Sequence, residues 1–124
     1  MGFRVEGAKE LRTRIKQAED QGLTAELKQA YRDAANIVVA GAQRRAPHRS
    51  GALRDSIRPM GGITAAVVAA GNAKVQYAAP IHWGWPKRGI KAQPFIQQAL
   101  KDDWDRIQST FEQAINRVSE QVEG

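Results

Sequence analysis

Apolar residues recur at steps of three and four in three stretches of the chain and at steps of two in another, and this change of period is its main structural signal. Ala8, Leu11, Ile15 and Ala18 predict a weakly amphipathic helix over residues 7–20, with charges on its other faces. Gly22 breaks that pattern. Thr24 suits the N-cap of a second helix, and Glu26 falls in its first turn, where the positive end of the helix dipole favours an acid. Leu27, Tyr31, Ala34 and Val38 form its buried stripe. Alanines at 30, 34, 35, 40 and 42 keep this helix thin, so that another element can approach closely. Ala46-Pro47 ends it, because the residue before proline is pushed out of the α region.

Ser50 is placed to cap a short turn through residues 51–55. Gly61-Gly62 and Gly71-Asn72 then fall at hairpin spacing around the apolar run Ile63 to Ala70. Val75, Tyr77 and Ala79 alternate like one face of a strand, which completes a three-stranded antiparallel meander. Pro80 has no backbone donor and marks an edge or a bulge. An open edge on so small a sheet is either covered by a helix or paired with another chain. From Pro94 to the C-terminus, Ile96, Leu100, Trp104, Ile107, Phe111, Ala114 or Ile115, Val118 and Val122 sustain a helical stripe, and Pro94 suits the first turn. Such a helix, about 40 Å long, exceeds the roughly 26 Å diameter expected of a domain this size, so part of its apolar face is expected to need a partner chain. The predicted class is α+β: about three antiparallel strands packed with helices, and a long C-terminal helix, in one domain over 1–124.

Composition narrows the function classes. Hydrophobic residues make up 42% and charged residues 26%, ordinary values for a folded chain. There is no cysteine, which removes disulfides, thiolate catalysis and thiolate metal sites. No stretch approaches the roughly 18 apolar residues of a membrane span, and the charged N-terminal segment lacks the apolar core of an export signal. A cytosolic origin with no membrane contact is the expectation. The net charge of +6 permits nucleic-acid contact and does not require it.

Three groups of residues could carry chemistry. His48 and His82 permit a ribonuclease-like acid–base pair, but no nucleophile or paired-acid motif accompanies them, and idle histidines in turns are common. Asp102 and Asp103 are adjacent, so on a helix they point about 100° apart and cannot converge on one metal; a solvated face is expected. Neither a cofactor nor a metal is expected, and the chain is not expected to be an enzyme. Arg44, Arg45, Arg49, Arg54 and Arg58 form one basic group and Lys87, Arg88 and Lys91 a second, each suited to DNA phosphates or an acidic protein surface, or else simply solvated. Trp83 and Trp85 flank Gly84. A base could stack on them, although such a pair more often packs a loop against its own domain or a neighbour.

The order of these signals resembles a known family. A helix ending in Ala46-Pro47 is followed by "SGALRDSI", an apolar hairpin, "YAAPIHWG", and "AQPFIQQAL" opening a helix. This resembles the neck and tail-completion family of long-tailed bacteriophages. The matching positions are Pro47, Ser50, Gly51, Leu53, Ser56 and Ile57, then Tyr77, Ala78 and Gly84, then Pro94, Phe95, Ala99 and Leu100. His82 departs from the pattern, since relatives commonly carry an acid two positions before the glycine, and the following "WPKRGIK" is basic. The resemblance implies a virion structural protein: a small α+β subunit forming a ring, commonly of six copies, between the portal-bearing capsid and the tail tube. It would be made in the host cytoplasm, contact neighbouring connector, stopper, terminator or tail-tube proteins, and lie close to the genome DNA. On this reading Pro47, Leu53, Ile57, Tyr77, His82, Trp83, Trp85, Pro94 and Phe95 are the expected assembly residues. The alternative is a small basic nucleic-acid-binding protein that uses the arginines at 44–58 on phosphates.

Overall fold

The computed structural model describes residues 1–22, 24–47, 51–60 and 65–123, with side chains for all of these except 24, 26 and 118–123. The elements run β1 (Gly2–Val5), α1 (Lys9–Asp20), α2 (Thr24–Arg45), α3 (Ala52–Ser56), β2 (Arg58–Met60), β3 (Ala66–Ala69), α4 (Ala78–Trp83), a 3-10 turn at Pro86–Arg88, α5 (Phe95–Asp102) and α6 (Trp104–Glu123). The α+β class, the three-stranded antiparallel sheet and the helical C-terminal segment are as the sequence predicts. The proposed Gly61-Gly62 turn, the Ser50 cap, His48 and Arg49 lie outside the described residues.

Two elements differ from expectation. The third strand is the N-terminal segment β1, not residues 75–79. The sheet order is β1-β3-β2, both pairs antiparallel, with Phe3 opposite Val68 and Pro59 opposite Val68 on the other side. The stretch from 75 to 79 cannot continue the ladder because Asn72 folds the chain back. Its Oδ1 accepts the N–H groups of Lys74 and Val75 at 2.9 and 3.0 Å, an Asx turn, and α4 follows at once. Pro80 accordingly lies in the first turn of α4, where a missing N–H costs nothing. The proline that does mark a sheet edge is Pro59, in β2.

The predicted single C-terminal helix is two. Asp103 leaves the helical region, with φ −102° and ψ 14°, although its N–H still reaches Ala99 O and Ile107 N–H still reaches its carbonyl. The result is a kink rather than a stop, and it wraps the segment around α2. Close approach is possible because α2 presents Gly41 there: a Cβ at that position would stand 3.0 Å from the Ala99 Cβ and 2.8 Å from an Asp103 carboxylate oxygen. Phe95, Ile96 and Ala99 of α5 and Ile107, Phe111, Ala114 and Ile115 of α6 are all buried within the subunit. Of the apolar stripe as far as Ile115, Leu100 is half-buried and Trp104 exposed, so these two are the positions at which a partner chain could still be needed. Val118 and Val122 are among the undescribed side chains.

α2 is the central rod. It packs on β2 and β3 of the sheet and against α1, α3, α5 and α6, and Leu27, Ala30, Ala34, Val38 and Ala42 are essentially inaccessible. Val5, Ala66 and Val68 complete the cluster from the sheet side.

Candidate functional site

The segment 77–95 is a closed structure built on α4. Gly84 ends that helix at φ 83° and ψ 161°, a region open essentially to glycine, and a Cβ there would meet the Ala92 backbone nitrogen at 3.0 Å. The loop that leaves at Gly84 returns at Gln93, whose N–H donates to Ile81 O at 2.8 Å. Between them Trp85 and Ile90 exchange backbone hydrogen bonds of 2.8 and 3.0 Å around the Pro86–Arg88 turn, and Gly89 supplies the left-handed residue. The Arg88 guanidinium sits 5.1 Å from the Trp85 ring centroid, within cation–π range. Trp-Gly-Trp thus launches a small hairpin with a basic tip.

Beneath the hairpin lies an aromatic cluster. His82 contacts Phe3 of β1, Trp83 and Phe95 of α5, with ring centroids 5.0, 4.4 and 5.0 Å away. It is fully buried, and neither ring nitrogen has a hydrogen-bond partner among the described residues. Burial lowers its pKa below the ordinary 6.5, holding the imidazole neutral. His82 is therefore a core residue, and its inaccessibility argues against the acid–base pairing with His48. Phe95, Leu53 and Ile57, expected at an assembly surface, are likewise core side chains. Pro47 and Pro94 are half-buried.

The "SGALRDSI" run has a structural explanation. Gly51 takes φ 78° before α3, and Leu53 and Ile57 enter the core. Buried Ser56 donates to Leu53 O at 2.6 Å and accepts the Gly71 N–H at 2.9 Å, pinning α3 to the turn after β3. Arg58 adds to the same clamp, donating to Ser56 O and Gly71 O at 2.7 and 2.9 Å. Ser56 was legible as a motif position, but its partner fifteen residues away was not.

In the first basic group, Arg44, Arg45 and Arg58 have partners within the chain. Arg45 pairs with Asp102 at 2.7 Å and donates to Gly41 O, while Arg44 approaches Asp103 to 3.8 Å, as does Arg106. Asp102 is exposed, as expected of a solvated face, although it pairs with Arg45; Asp103 is largely buried, which corrects that expectation for this residue. Of the arginines at 44–58, Arg54 remains exposed with no ion pair among the described residues. Lys87, Arg88 and Lys91 are all exposed and have no ion pair among the described residues.

Among the described residues, the large apolar side chains left outside the core are Trp83 (53% exposed), Trp85 (43%), Trp104 (43%), Tyr77 (41%) and Met60 (52%). All three tryptophans of the chain are in this set. Trp104 follows the α5–α6 kink and lines an open apolar groove with Gln97, Leu100 and Lys101. The sequence places it in the apolar stripe of the C-terminal helix, part of which is expected to need a partner chain. No group of acids and histidines able to hold a metal exists among the described residues, nor any helix long and apolar enough to cross a membrane.

Comparison with protein families gives one result that covers most of the chain. The family model described as "Bacteriophage HK97-gp10, putative tail-component" matches residues 9–85, from the start of α1 to the start of the basic hairpin. The chain belongs to this family of phage tail components. The matched span includes the Ala-Pro, "SGALRDSI" and "YAAPIHWG" motifs and stops short of Pro94-Phe95. No curated protein and no solved structure matches the chain.

Proposed function

We propose that the protein is a structural subunit of the phage head-to-tail connector, a neck or tail-completion protein that forms a ring between the capsid portal and the tail tube and catalyses no reaction. One observation carries this beyond family membership. A core already filled by Phe95, Phe111, Tyr31 and His82 leaves every tryptophan of the chain on the surface. Tryptophan is the side chain most enriched at the centres of protein interfaces and among the costliest to leave in water. Trp83 and Trp85 lie on and beside α4, and Trp104 lies at the α5–α6 kink. Two distinct patches are what a head-to-tail interface needs in order to close a ring.

The test is complementation of a phage lacking this chain with Trp83→Ala and Trp104→Ala variants. Both are expected to fold and to leave filled heads and free tails unjoined. Normal yields of joined, infectious particles from both variants would overturn the reading.

A further inference from the structure

The net charge of the protein is confined to one part of the chain. Between Ser56 and Lys101 stand Arg58, Lys74, Lys87, Arg88, Lys91 and Lys101 and not one acid, whereas the rest of the chain carries thirteen residues of each sign and is neutral. The fold gathers most of this segment at one end of the sheet. Arg58 is bonded to Gly71, Lys74 lies in the Asx turn that follows, and Gly71 lies against Ala78 at the start of α4. α4 in turn carries the hairpin, and its Trp83 ring stands 5.7 Å from Phe3 of β1. We propose that the 85–91 hairpin, through Lys87, Arg88 and Lys91, is a contact surface for the phosphate backbone of DNA.

Three features favour this partner. The hairpin is preorganised by its Trp85–Ile90 hydrogen bonds and by the Gly84 and Gln93 closures, so little ordering entropy is lost on contact. Arg88 is held over Trp85, its guanidinium fixed rather than swinging free. Two of the three cations are lysines, a residue type depleted at protein–protein interfaces and well suited to phosphate as a point charge. The hairpin carries no acid of its own that would repel phosphate. The contact, being to phosphate, is sequence-independent and dominated by counterion release. It goes beyond the connector reading and stands or falls without it, because it is measured on the purified protein.

The experiment is fluorescence anisotropy of a labelled DNA duplex of arbitrary sequence, titrated with full-length protein between about 50 and about 200 mM salt. Wild type is expected to bind with a steep salt dependence. Lys87→Ala/Arg88→Ala/Lys91→Ala should make the slope of log K against log salt shallower by about 2 to 3, since each neutralised phosphate contributes about 0.9. Lys87→Gln/Lys91→Gln, which keeps the Arg88–Trp85 contact, should make it shallower by about 2. The control, Lys16→Ala/Lys28→Ala/Arg32→Ala, removes three exposed cations of α1 and α2 and should leave the slope nearly unchanged. Circular dichroism confirms that each variant is folded. Absence of binding at the lowest salt would overturn the proposal, as would equal losses from the hairpin and control variants. So would unchanged DNA affinity in a hairpin variant that no longer assembles, which would mark the hairpin as a site for an acidic protein.

Discussion

His82 is buried among the rings of Phe3, Trp83 and Phe95 with neither nitrogen satisfied within the described subunit, an arrangement that costs stability. Its pKa is lowered by burial, so the unfolded chain takes up a proton more readily than the folded one. The stability His82 permits is fully present above the unfolded pKa near 6.5 and is lost as pH falls from there toward the depressed folded value. Thermal melts should therefore show Tm declining below about pH 6.5, and His82→Leu should raise Tm near neutrality and flatten the decline. An equally steep decline in the Leu variant would show that other groups control it. Tyr31 has the opposite character: burial and its hydrogen bond to Glu19 push its phenol well above the ordinary value, and it stays protonated. The sequence draws attention to His82, but does not show that it is buried. That fact comes from Phe3, some eighty residues away, and no local period encodes such a pairing.

At the level of elements, the helices were legible because α1 and α2 carry sustained periods with clear breaks at Gly22 and Ala46-Pro47. β1 was not: four residues give one alternation, Phe3 and Val5, too little to distinguish a strand. Residues 75–79 alternate convincingly, yet the Asn72 side chain captures the backbone donors that a strand would have used. The break at Asp103 is also invisible locally: it falls where the chain lies against Gly41 of α2, a contact that no local period encodes. Gly84→Ala should destabilise the protein by about 1 to 3 kcal/mol, since alanine must adopt φ 83° and push against Ala92, and chemical denaturation would measure it. Phe95→Ala should cost about 3 to 5 kcal/mol as a core truncation. Trp83→Ala should cost only about 1 kcal/mol, the order of its aromatic contacts. That contrast separates a folding residue from a surface residue, although the sequence motifs suggest the same role for both.

For the whole molecule, the two arrangements that matter are the outward-facing tryptophans and the one-sided charge. The first was only half legible. Trp83 and Trp85 stood out in the sequence, but Trp104 fits a core stripe perfectly well until the kink turns it outward. The second required both levels: the sequence shows an acid-free run from 56 to 101, and the fold shows that Arg44 and Arg45 before it face Asp103 and Asp102. A filled core, tryptophans left outside it and a basic hairpin all fit the proposed assembly role. The measurement that tests this most directly is electron microscopy of purified phage particles, with mass spectrometry to count the copies of this chain. A ring of a few copies between capsid and tail tube is the predicted result. Absence of the chain from infectious particles, or its location elsewhere in the virion, would contradict the connector assignment.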